Sequence, residues 1–379
     1  MSLSQHQLVL SLGSNQGNSF EHLQEAVQQL FEQVGAIQKI SSVYKSKALG
    51  FEGADFLNCV VLMQTNCTAK QALHWCLKIE QDMGRIRSED SVEGYQDRII
   101  DLDVLFYDEL LLDEEDLQLP HPRMQQRRFV LQPLCDIAPD LQHPGLQRKV
   151  SQLLDHCEDD SVLEKQPKWL RNPKDDLPLS QYNYIAIEGN IGAGKTSLAE
   201  LIASEFNAKL ILERFKDNPF LPKFYKKPQR YAFPLEMSFL ADRYQQLLDD
   251  IGQYDLFSDF MVADYDRYKS LVFAQVTLQE EEFVLYKRLH GMMYKDMPAP
   301  DCYVYLFQNT ERLLENIKKR GRSYEQEISA DYLSKINQGY LDFIRAQHQL
   351  NVKMVDISEL DFVHNRADYL QVIRALLPA

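Results

Sequence analysis

Hydrophobic and polar positions follow two different patterns along this chain. Near the start, an apolar run at 7–12 leads into the turn GSNQGN, and from 20 to 34 apolar residues recur every three or four positions. This spacing predicts a strand followed by an amphipathic helix. The same reasoning predicts further strands at 37–45, 56–64 and 99–107 and a helix at 69–83. Strands and helices in this order indicate an α+β domain, and we expect a sandwich of the ferredoxin-like type.

A polar stretch separates this region from the rest of the chain. The apolar period disappears after residue 154, and residues 161–180 carry three prolines. Such a segment is typical of a linker. We therefore expect a first domain at 1–160 and a second at 181–379.

The second domain begins with a different pattern. The segment YNYIAIEGNIGAGKTSLAELIASEF predicts a strand, a glycine-rich turn and a helix, and helical patterns dominate from there on. Later strands are predicted at 259–264, 302–307 and 353–356. This alternation favours an α/β domain with a parallel sheet wrapped in helices.

Length and composition fit two globular domains. The 379 residues exceed the roughly 100 to 200 residues of one usual domain, and 45% hydrophobic residues are ample for two cores. The net charge of −15 argues against a non-specific binder of nucleic acid or of anionic membranes. It leaves room for local basic pockets that hold phosphorylated small molecules.

The same reasoning extends to the compartment. The six cysteines include no C-x-x-C pair, which is typical of free thiols in a reducing cytosol. No basic segment precedes an apolar one at the N-terminus, and no stretch approaches the ~18 apolar residues of a membrane span. We expect a soluble, cytoplasmic protein.

The segment GNIGAGKT matches the phosphate-binding pattern G-x-x-x-x-G-K-[ST] between a predicted strand and a predicted helix. Gly189, Gly192 and Gly194 are expected to turn backbone N–H groups toward the phosphates of ATP, where the helix N-terminus adds its dipole. Lys195 is expected to reach the β and γ oxygens, and Thr196 to bind Mg²⁺.

The next predicted strand ends in Glu213, beside the nucleotide crevice at the carboxyl edge of the sheet. A carboxylate there is a candidate general base for a hydroxyl acceptor. A solvated acid at a strand end has the same spacing, and the sequence leaves both interpretations open.

Four segments of the second domain carry a family resemblance. They are IEGNIGAGKTSLAELI, LERFKDNPFLPKFYKKPQRYAFPLEMSFLADRYQQL, VADYDRYKSLVFA and KKRGRSYEQEI. Together they resemble the deoxynucleoside kinases, particularly the bacterial purine-preferring members, across 181–379. The resemblance implies a P-loop fold and transfer of the γ-phosphoryl group of ATP to the 5′-hydroxyl of a purine deoxynucleoside, with deoxyadenosine favoured.

The resemblance also implies residue roles. Glu213 is implied as the base on the 5′-hydroxyl, and Asp264 as an acid near Mg²⁺. The residues implied on the substrate are Tyr225 and Glu325 at the sugar 3′-hydroxyl and Glu236 and Arg243 at the base edge. The basic lid that closes on the transferring phosphate is implied at Lys318, Lys319, Arg320 and Arg322.

Two positions depart from this family pattern. Many relatives carry Arg directly after the acid of the middle strand, where this chain has Tyr265, and whether Arg267 substitutes is open. Asn316 stands where a lid arginine is common. Similar bacterial purine kinases share the first change, which makes it a mark of the subgroup.

In the first domain, Asp101 and Asp103 lie one residue apart in a predicted strand, shortly after Arg98. Side chains two positions apart project from the same face of a strand. Two carboxylates there can hold one or two Mg²⁺ ions between the phosphates of a nucleotide. An acidic pair on the surface of an edge strand is the alternative that these residues leave open.

Five segments of the first domain carry a second resemblance. They are LSLGSNQGN, ADFLNCVV, KIEQDMGRIR, RIIDLDVLFY and LPHPRMQQRRFVLQPL. Their order and spacing are similar to those of the 6-hydroxymethyl-7,8-dihydropterin pyrophosphokinases of folate biosynthesis, over roughly residues 5–160. The resemblance implies that a diphosphate group passes from ATP to the hydroxymethyl oxygen of the pterin, which leaves AMP.

By position, Asp101 and Asp103 match the magnesium-bridging pair of this family. Phe56 and Phe129 match two aromatics that sandwich the flat pterin, and Asn58 matches an amide that reads the pterin edge. The residues implied at the nucleotide are the cationic set Arg85, Arg98, His121 and Arg127, with Glu80 beside them.

The departures from this family lie in the loop before Arg98. Gln96 and Asp97 stand where a pair of small residues is usual, and the loop at 88–96 is acidic. A loop that closes over a triphosphate is expected to carry more positive charge. The closing rate and the affinity for ATP are therefore open.

We expect a bifunctional ATP-dependent transferase with an ATP and Mg²⁺ site in each domain. Its expected partners are small-molecule substrates, with no nucleic acid and no membrane, and a homodimer through the kinase domain. One alternative keeps the kinase active beside a first domain that binds pterin or nucleotide without catalysis. Another makes the first domain a dimerisation module, which predicts that it does not bind pterin.

Overall fold

The computed structural model describes residues 5–48, 53–85, 97–214, 218–252, 257–322, 325–326 and 328–378. The chain divides into two compact units, Leu3–Leu177 and Pro178–Ala379. Within the described ranges, no helix combines the length and the apolar character needed to cross a membrane.

The first unit is built on one antiparallel sheet. Its elements are β1 (His6–Ser14), α1 (Ser19–Gln33), β2 (Gly35–Ile40), β3 (Tyr44–Ser46), β4 (Phe56–Thr65), α2 (Ala69–Asp82), β5 (Asp101–Tyr107), β6 (Leu112–Asp113), β7 (Gln118–Leu119), α3 (Arg128–Ile137), β8 (Gln142–His143), β9 (Arg148–Lys149), α4 (Val150–Asp155) and β10 (Glu164–Lys165). The sheet order is β10-β3-β4-β1-β5, and β2 also pairs with β4. An antiparallel sheet combined with helices is the expected α+β arrangement.

Strand β1 is covered on both faces and leads into the first site. Val9 packs with Val60 of β4 and with residues of α3, such as Val130 and Leu131. Side chains alternate along a strand, so Ser11 follows Val9 on the α3 side of the sheet. The α3 side therefore changes from apolar to polar toward the end of β1, where small residues leave space.

The strand predicted at 37–45 is interrupted in the structure, because β2 ends at Ile40 and β3 begins at Tyr44. At the break, the hydroxyl of Ser41 accepts the backbone N–H of Val60 over 2.9 Å, and the Ser41 N–H donates to the Val60 carbonyl. A serine side chain has thus replaced one backbone partner of the ladder.

The segment predicted as a linker packs on the first unit up to residue 177. Strand β10 pairs with Lys45 and Tyr44 of β3. Arg171 exchanges hydrogen bonds with Gln24 of α1, and the Asn172 amide donates to the Ile37 carbonyl over 3.0 Å. These contacts use backbone and amide groups, so they leave no apolar period in the sequence.

The second unit is built on a parallel sheet. Its elements are β11 (Tyr184–Gly189), α5 (Lys195–Phe206), β12 (Ala208–Ile211), α6 (Leu221–Lys226), α7 (Pro228–Gly252), β13 (Phe260–Ala263), α8 (Arg267–Thr277), α9 (Glu280–Met293), β14 (Cys302–Phe307), α10 (Thr310–Arg320), α11 (Ala330–Ala346), β15 (Val352–Asp356) and α12 (Arg366–Leu376). The sheet order is β12-β13-β11-β14-β15, and all pairings are parallel. The parallel sheet predicted for the second half is confirmed.

This topology gathers chemistry at one edge of the sheet. Parallel strands end on the same side, so the loops after β11, β12 and β13 meet there. Gly189 closes β11, Glu213 follows β12 by two residues, and Asp264 directly follows β13. Three segments far apart in sequence are thereby brought to one place.

Candidate active sites

The two acids of the first half lie side by side above small residues. In the register of β1 and β5, Ser11 faces Asp103 and Gly13 faces Asp101. A cavity of about 120 Å³ opens on this side of the sheet. Its lining residues are Ser11, Gly13, Ser46, Lys47, Phe56, Asn58, Arg98, Asp101, Asp103, Arg123, Arg127 and Phe129. Both predicted aromatics, the amide and both acids therefore share one cavity.

Asp101 is held by two arginines. Arg85 donates to Oδ1 over 2.5 Å, and Arg98 donates to Oδ2 over 2.6 Å. Arg85 is anchored from behind by the buried Glu80, whose Oε1 also accepts the Leu102 N–H over 2.8 Å. Glu80 thus holds an arginine and the start of β5 together, below the cavity.

Asp103 is a half-buried acid whose cations stand further away. Its Oδ2 lies 3.9 Å from Arg127 Nη1 and 4.0 Å from His121 Nε2. Burial and the negative charge of Asp101 raise the pKa of Asp103 to about 6. Burial and the charges of nearby arginines lower the pKa of His121 to about 4, so this imidazole is neutral at pH 7.

The aromatic and amide residues form the other end of the cavity. The amide nitrogen of the buried Asn58 donates to Ser46 Oγ over 2.9 Å. A methyl group added at Gly13 would stand 3.1 Å from Asn58 Oδ1, so this oxygen faces the small residue on the neighbouring strand. The Arg127 guanidinium lies 5.7 Å from the centre of the Phe129 ring. The end of the cavity therefore combines ring faces with one amide.

The departure at Asp97 has a structural explanation. The Asn15 side chain donates to Asp97 Oδ1 over 2.5 Å and accepts the Arg98 N–H over 2.7 Å. These bonds tie the chain before β5 to the end of β1 and thereby place Arg98 at the acids. The acidic loop at 88–96, with Gln96, lies outside the described residues.

Sequence reasoning missed two cationic residues of this cavity, Lys47 and Arg123. Arg123 stands two residues after His121, and Lys47 directly follows β3. Neither position belongs to a contiguous charged motif, and only the packing of α3 and β3 on one face brings them to the acids.

The glycine-rich loop of the second half has the backbone that its pattern predicts. Gly194 has a φ of +80°, and a methyl group there would approach the Phe362 ring to 2.7 Å. A methyl group added at Gly189 would come equally close to the Leu306 carbonyl oxygen, so both positions require glycine. The Lys195 ammonium donates to the carbonyls of Gly189 and Asn190 over 3.0 and 2.9 Å. It therefore lies across the mouth of the loop.

Asp264 joins the loop to the next strand. Thr196 Oγ1 donates to Asp264 Oδ2 over 2.5 Å, and Asp264 Oδ1 accepts the Glu213 N–H over 2.7 Å. A hydroxyl and a carboxylate oxygen thus lie side by side at the start of α5. These are the hard oxygen ligands that Mg²⁺ prefers.

The Glu213 side chain is only 10% exposed, which excludes the solvated strand-end acid that its spacing left open. Arg243 Nε donates to Oε1 over 2.7 Å, and Lys269 Nζ donates to Oε2 over 2.6 Å. Burial alone would raise the pKa of Glu213, but Lys269 and Arg243 hold it well below its usual range. The carboxylate is therefore ionised and fixed between two cations.

The sequence left open whether Arg267 substitutes for the Arg that many relatives carry at the position of Tyr265. Arg267 points elsewhere, because its guanidinium donates to the backbone carbonyls of Met297 and Tyr294 over 2.7 and 3.4 Å. Lys269, in the first turn of α8, supplies the cation at Glu213. Sequence reasoning missed Lys269, and the early position of a lysine on the helix after the acid was the signal available.

The base-edge candidates lie on one face of α7, two turns apart. Arg243 is buried, donates to Ser270 Oγ over 2.9 Å, and lies 4.6 Å from the centre of the Phe239 ring. Glu236 is also buried, and its Oε1 accepts the Thr277 hydroxyl over 3.0 Å.

The lid and sugar candidates contact each other. Glu325 accepts hydrogen bonds from Arg320 over 2.5 Å and from Arg322 over 3.2 Å. Lys318 and Lys319 are exposed at the end of α10. Asn316, the other departure, donates to the Gly192 carbonyl over 3.0 Å and so binds the glycine-rich loop.

Tyr225 lies apart from this group, on α6. Its ring meets that of Phe224 edge to face at 5.5 Å. It belongs to an apolar cluster that also contains Leu235, Phe239 and Tyr332. The cluster therefore brings the sugar candidate next to the residues of α7 that flank Glu236.

Among the residues that the structure describes, no group of three or more His, Cys, Asp or Glu side chains could hold a metal ion. Asp101 with Asp103, and Thr196 with Asp264, are pairs. A Mg²⁺ ion bound at such a pair would complete its coordination with water and phosphate oxygens.

Known proteins resemble each half separately. Residues 185–377 match the deoxynucleoside kinase family, and residues 9–139 match the 7,8-dihydro-6-hydroxymethylpterin-pyrophosphokinase family. The deoxyguanosine kinase of Bacillus subtilis is 37% identical over 193 residues, which cover 50% of this chain and 93% of the relative. The deoxyadenosine kinase of Dictyostelium discoideum is 34% identical over 167 residues, 43% of this chain and 66% of the relative. The 2-amino-4-hydroxy-6-hydroxymethyldihydropteridine pyrophosphokinase of Synechocystis is 36% identical over 154 residues, 40% of this chain and 77% of the relative.

Proposed function

This chain belongs to the deoxynucleoside kinase family through residues 185–377 and to the 7,8-dihydro-6-hydroxymethylpterin-pyrophosphokinase family through residues 9–139, and we propose that it is a bifunctional ATP-dependent transferase. The first half passes a diphosphate group from ATP to the hydroxymethyl oxygen of a reduced pterin, and AMP leaves. The second half passes the γ-phosphoryl group of ATP to the 5′-hydroxyl of a purine deoxynucleoside, and ADP leaves. The observation that carries the proposal is that each half assembles its own set of carboxylates and cations on its own sheet.

In the first half, the cavity supports binding of a flat heterocycle beside a charged chain. Phe56, Asn58 and Phe129 line one end, where ring faces stabilise a conjugated ring and the amide can read its edge. Arg98 and Arg127 lie at the acids, where guanidinium groups suit phosphate oxygens.

In the second half, the arrangement supports phosphoryl transfer to a hydroxyl. The 5′-oxygen would form a bond to the γ-phosphorus while its proton passes to Glu213 and the bond to the β-phosphate oxygen breaks. Lys195 lies at the mouth of the loop, and Arg320 and Arg322 must leave Glu325 to reach the transferring phosphate. The side chain of Glu325 would then be available to the sugar.

Both sites fit Mg²⁺. Asp101 and Asp103 share one strand face, and Arg85 or Arg98 would have to move from Asp101 to make room for the ion. Thr196 and Asp264 present a hydroxyl and a carboxylate at the glycine-rich loop. A bound Mg²⁺ ion would supply charge neutralisation and orientation of the phosphates.

Deoxyadenosine, the base expected from the sequence, and deoxyguanosine are the two purine candidates, because relatives of both names are similar to this chain. We also propose a homodimer formed through the kinase domain and a cytoplasmic location. Exposed apolar side chains on α9, among them Val284 and Met292, support such an interface. The order β2-β4-β1-β5 with α1 and α2 between strands supports the ferredoxin-like label for the first half.

We assign the pterin activity to residues 1–160 and the kinase activity to residues 181–379. We assign neither activity to the linker at 161–180, although its residues up to 177 group with the first unit.

The test is a nucleotide-product assay on the full chain. ATP and Mg²⁺ are incubated with reduced hydroxymethyl pterin in one reaction and with each of the four deoxynucleosides in others, and AMP is separated from ADP. We expect AMP with the pterin and ADP with a purine deoxynucleoside. ADP without any AMP would contradict the pyrophosphokinase half.

One observation favours a second candidate function for the first half. Both carboxylate oxygens of Asp101 accept hydrogen bonds from arginines, so they are not available to a metal unless Arg85 or Arg98 moves. A first half that binds pterin without catalysis would keep this arrangement. It predicts saturable pterin binding by calorimetry with no AMP, whereas a dimerisation module predicts no binding.

A further inference from the structure

The carboxyl group of Glu236 has one oxygen with a partner and one without. The residue is 2% exposed, and Oε1 accepts the Thr277 hydroxyl, but Oε2 has no hydrogen-bond partner among the residues that the structure describes. Leaving a buried polar oxygen unpaired destabilises the folded state. Such an atom in a folded protein calls for an explanation, and a ligand that binds beside it would provide one.

The surroundings of Glu236 connect this residue to the proposed base. Arg243, two turns further along the same face of α7, holds the proposed base Glu213. Phe239, between the two, belongs to an apolar cluster with Tyr225, Leu235 and Tyr332. A flat purine bound here would have ring faces around it and the unpaired oxygen at its edge.

Several groups that titrate or carry charge face Glu236 from the packed elements. Arg243 on α7 favours the ionised form of Glu236, and Glu213 after β12 opposes it. Tyr286 of α9 donates from its hydroxyl to the backbone carbonyl of Glu236 over 3.4 Å, and Tyr332 of α11 lies near the carboxyl. Burial raises the pKa of Glu236 to about 7, in spite of the opposing effects of Arg243 and of the hydrogen bond from Thr277. Both tyrosines are neutral at this pH, because burial raises their pKa values further above the ordinary range.

We propose that the protonation state of Glu236 chooses between guanine and adenine as the base of the deoxynucleoside. The inference rests on the proposed kinase function and specifies the substrate of that site. An ionised carboxylate offers acceptors only, which match the two adjacent donors of guanine, N1–H and the 2-amino group. A protonated carboxyl offers one donor and one acceptor, which match N1 and the 6-amino group of adenine.

The choice has a simple dependence on pH. If guanine binds only the ionised form and adenine only the protonated form, the ratio of their kcat/KM values follows the ratio of the two forms. This ratio changes about tenfold for each pH unit, because one proton separates the forms. The slope does not depend on the pKa, which sets only the pH at which the preference changes over.

The experiment measures kcat/KM for deoxyguanosine and deoxyadenosine on the full chain, from about pH 6 to about pH 8, where neither free base changes its protonation. Each pH point uses one enzyme preparation, so effects on ATP, Mg²⁺ and the phosphoryl step common to both substrates cancel in the ratio. We expect the deoxyguanosine to deoxyadenosine ratio to rise about tenfold per pH unit. Deoxyinosine, which keeps N1–H and lacks the 2-amino group, should follow the slope of deoxyguanosine.

Two variants separate the proton from other effects. Glu236→Gln carries a donor and an acceptor at every pH, so its ratio should be independent of pH. Thr277→Val removes the hydroxyl that stabilises the ionised form. In this variant the deoxyguanosine to deoxyadenosine ratio should therefore keep its slope against pH, and at every pH it should be shifted in favour of deoxyadenosine.

The possible results are distinct. A flat ratio in the wild-type enzyme with both substrates turned over would overturn the inference and leave the kinase function standing. A ratio that still changes with pH in Glu236→Gln would also overturn the inference. If that variant does not fold, a ratio in Thr277→Val that equals the wild-type ratio at every pH decides against the inference. No ADP with any deoxynucleoside at any pH would overturn the kinase function and the inference together.

Discussion

The two halves of the molecule treat a carboxylate at the reaction site in opposite ways. In the first half, burial raises the pKa of Asp103 to about 6, and the Arg127 guanidinium stays 3.9 Å away. In the second half, burial acts on Glu213 in the same direction, but Lys269 and Arg243 at 2.6 and 2.7 Å hold its pKa low. Coulomb attraction weakens with distance, and a direct charged hydrogen bond adds to it. The two close cations therefore account for the low pKa of Glu213, whereas the neighbouring negative charge of Asp101 adds to burial in raising the pKa of Asp103.

The halves also differ in how they provide positive charge for phosphates. The first half relies on side chains gathered on the face of an antiparallel sheet, such as Arg98 and Arg127. The second half relies on the backbone of the glycine-rich loop and the start of α5, with Lys195 in support. Side-chain cations can be replaced one at a time, whereas a backbone cradle depends on the loop conformation.

The largest expected effect separates the two sites completely. Lys195→Met removes the ammonium at the glycine-rich loop and should lower ADP formation about 10³-fold, while AMP formation is unchanged. Asp101→Asn removes the charge between Arg85 and Arg98. It should lower AMP formation to a similar extent and leave ADP formation unchanged. Both products are measured on both variants. Loss of both products in either variant would contradict independent sites.

The next effect concerns the stability of the second half alone. Arg366 of α12 donates to both oxygens of Glu205 of α5, and both side chains are nearly buried. Arg366→Met removes the cation from the buried Glu205 carboxylate and should destabilise this half by about 3 to 5 kcal/mol. Enzyme activity measured at increasing urea concentrations reports the unfolding of each half. ADP formation should be lost at a lower urea concentration than in the unchanged protein, while AMP formation should be lost at the same concentration as before. Glu205→Leu combined with Arg366→Met should recover part of the loss, and a failure to recover would show that the pair matters for another reason.

A smaller effect tests the cation that only the structure reveals. Lys269→Met leaves Glu213 attached to Arg243 alone and should lower kcat of the kinase about 10²-fold, with little change in the KM for ATP, because the base is displaced. Lys269→Arg should restore part of kcat. Arg267→Met is the matched control, since that side chain binds backbone carbonyls away from Glu213. An equal loss of kcat in the control would argue that Lys269 acts only through the fold of α8.

The smallest effect concerns space in the first cavity. Gly13→Ala would place a methyl group 3.1 Å from Asn58 Oδ1, and it should raise the KM for the pterin about tenfold, as expected for a displacement of a fraction of an ångström. Gly145→Ala is the control, because its methyl group meets nothing closer than 3.5 Å. Unchanged KM in Gly13→Ala would place the pterin elsewhere.

Much of the architecture was accessible from local signals. The helix predicted at 20–34 spans Ser19–Gln33, and the strand predicted at 302–307 spans Cys302–Phe307. The same is true of the glycine-rich loop, whose residues are contiguous and whose backbone is restricted by glycine itself. Periodic burial and contiguous loop chemistry depend on neighbours in sequence, so the sequence expresses them directly.

Contacts between distant segments were not accessible in this way. The packing of the predicted linker on the first unit depends on backbone and amide partners such as Ile37 and Gln24, which have no periodic signature. The hydrogen bonds from Arg320 and Arg322 to Glu325 depend on the turn after α10. Side-chain direction at such a turn is set by packing in three dimensions, which no spacing rule specifies.

The sequence by itself determined the two families, the two kinds of sheet and the position of each acid in its strand or loop, because these follow from residue type and spacing. Only the tertiary structure decided which cation meets which acid. Lys269 reaches Glu213 and Arg267 does not, although both lie in the first turn of one helix. Residues two apart on a helix point about 200° apart, so the rotation of α8 on the sheet, which the packing of the core sets, determined the charge environment of the proposed base.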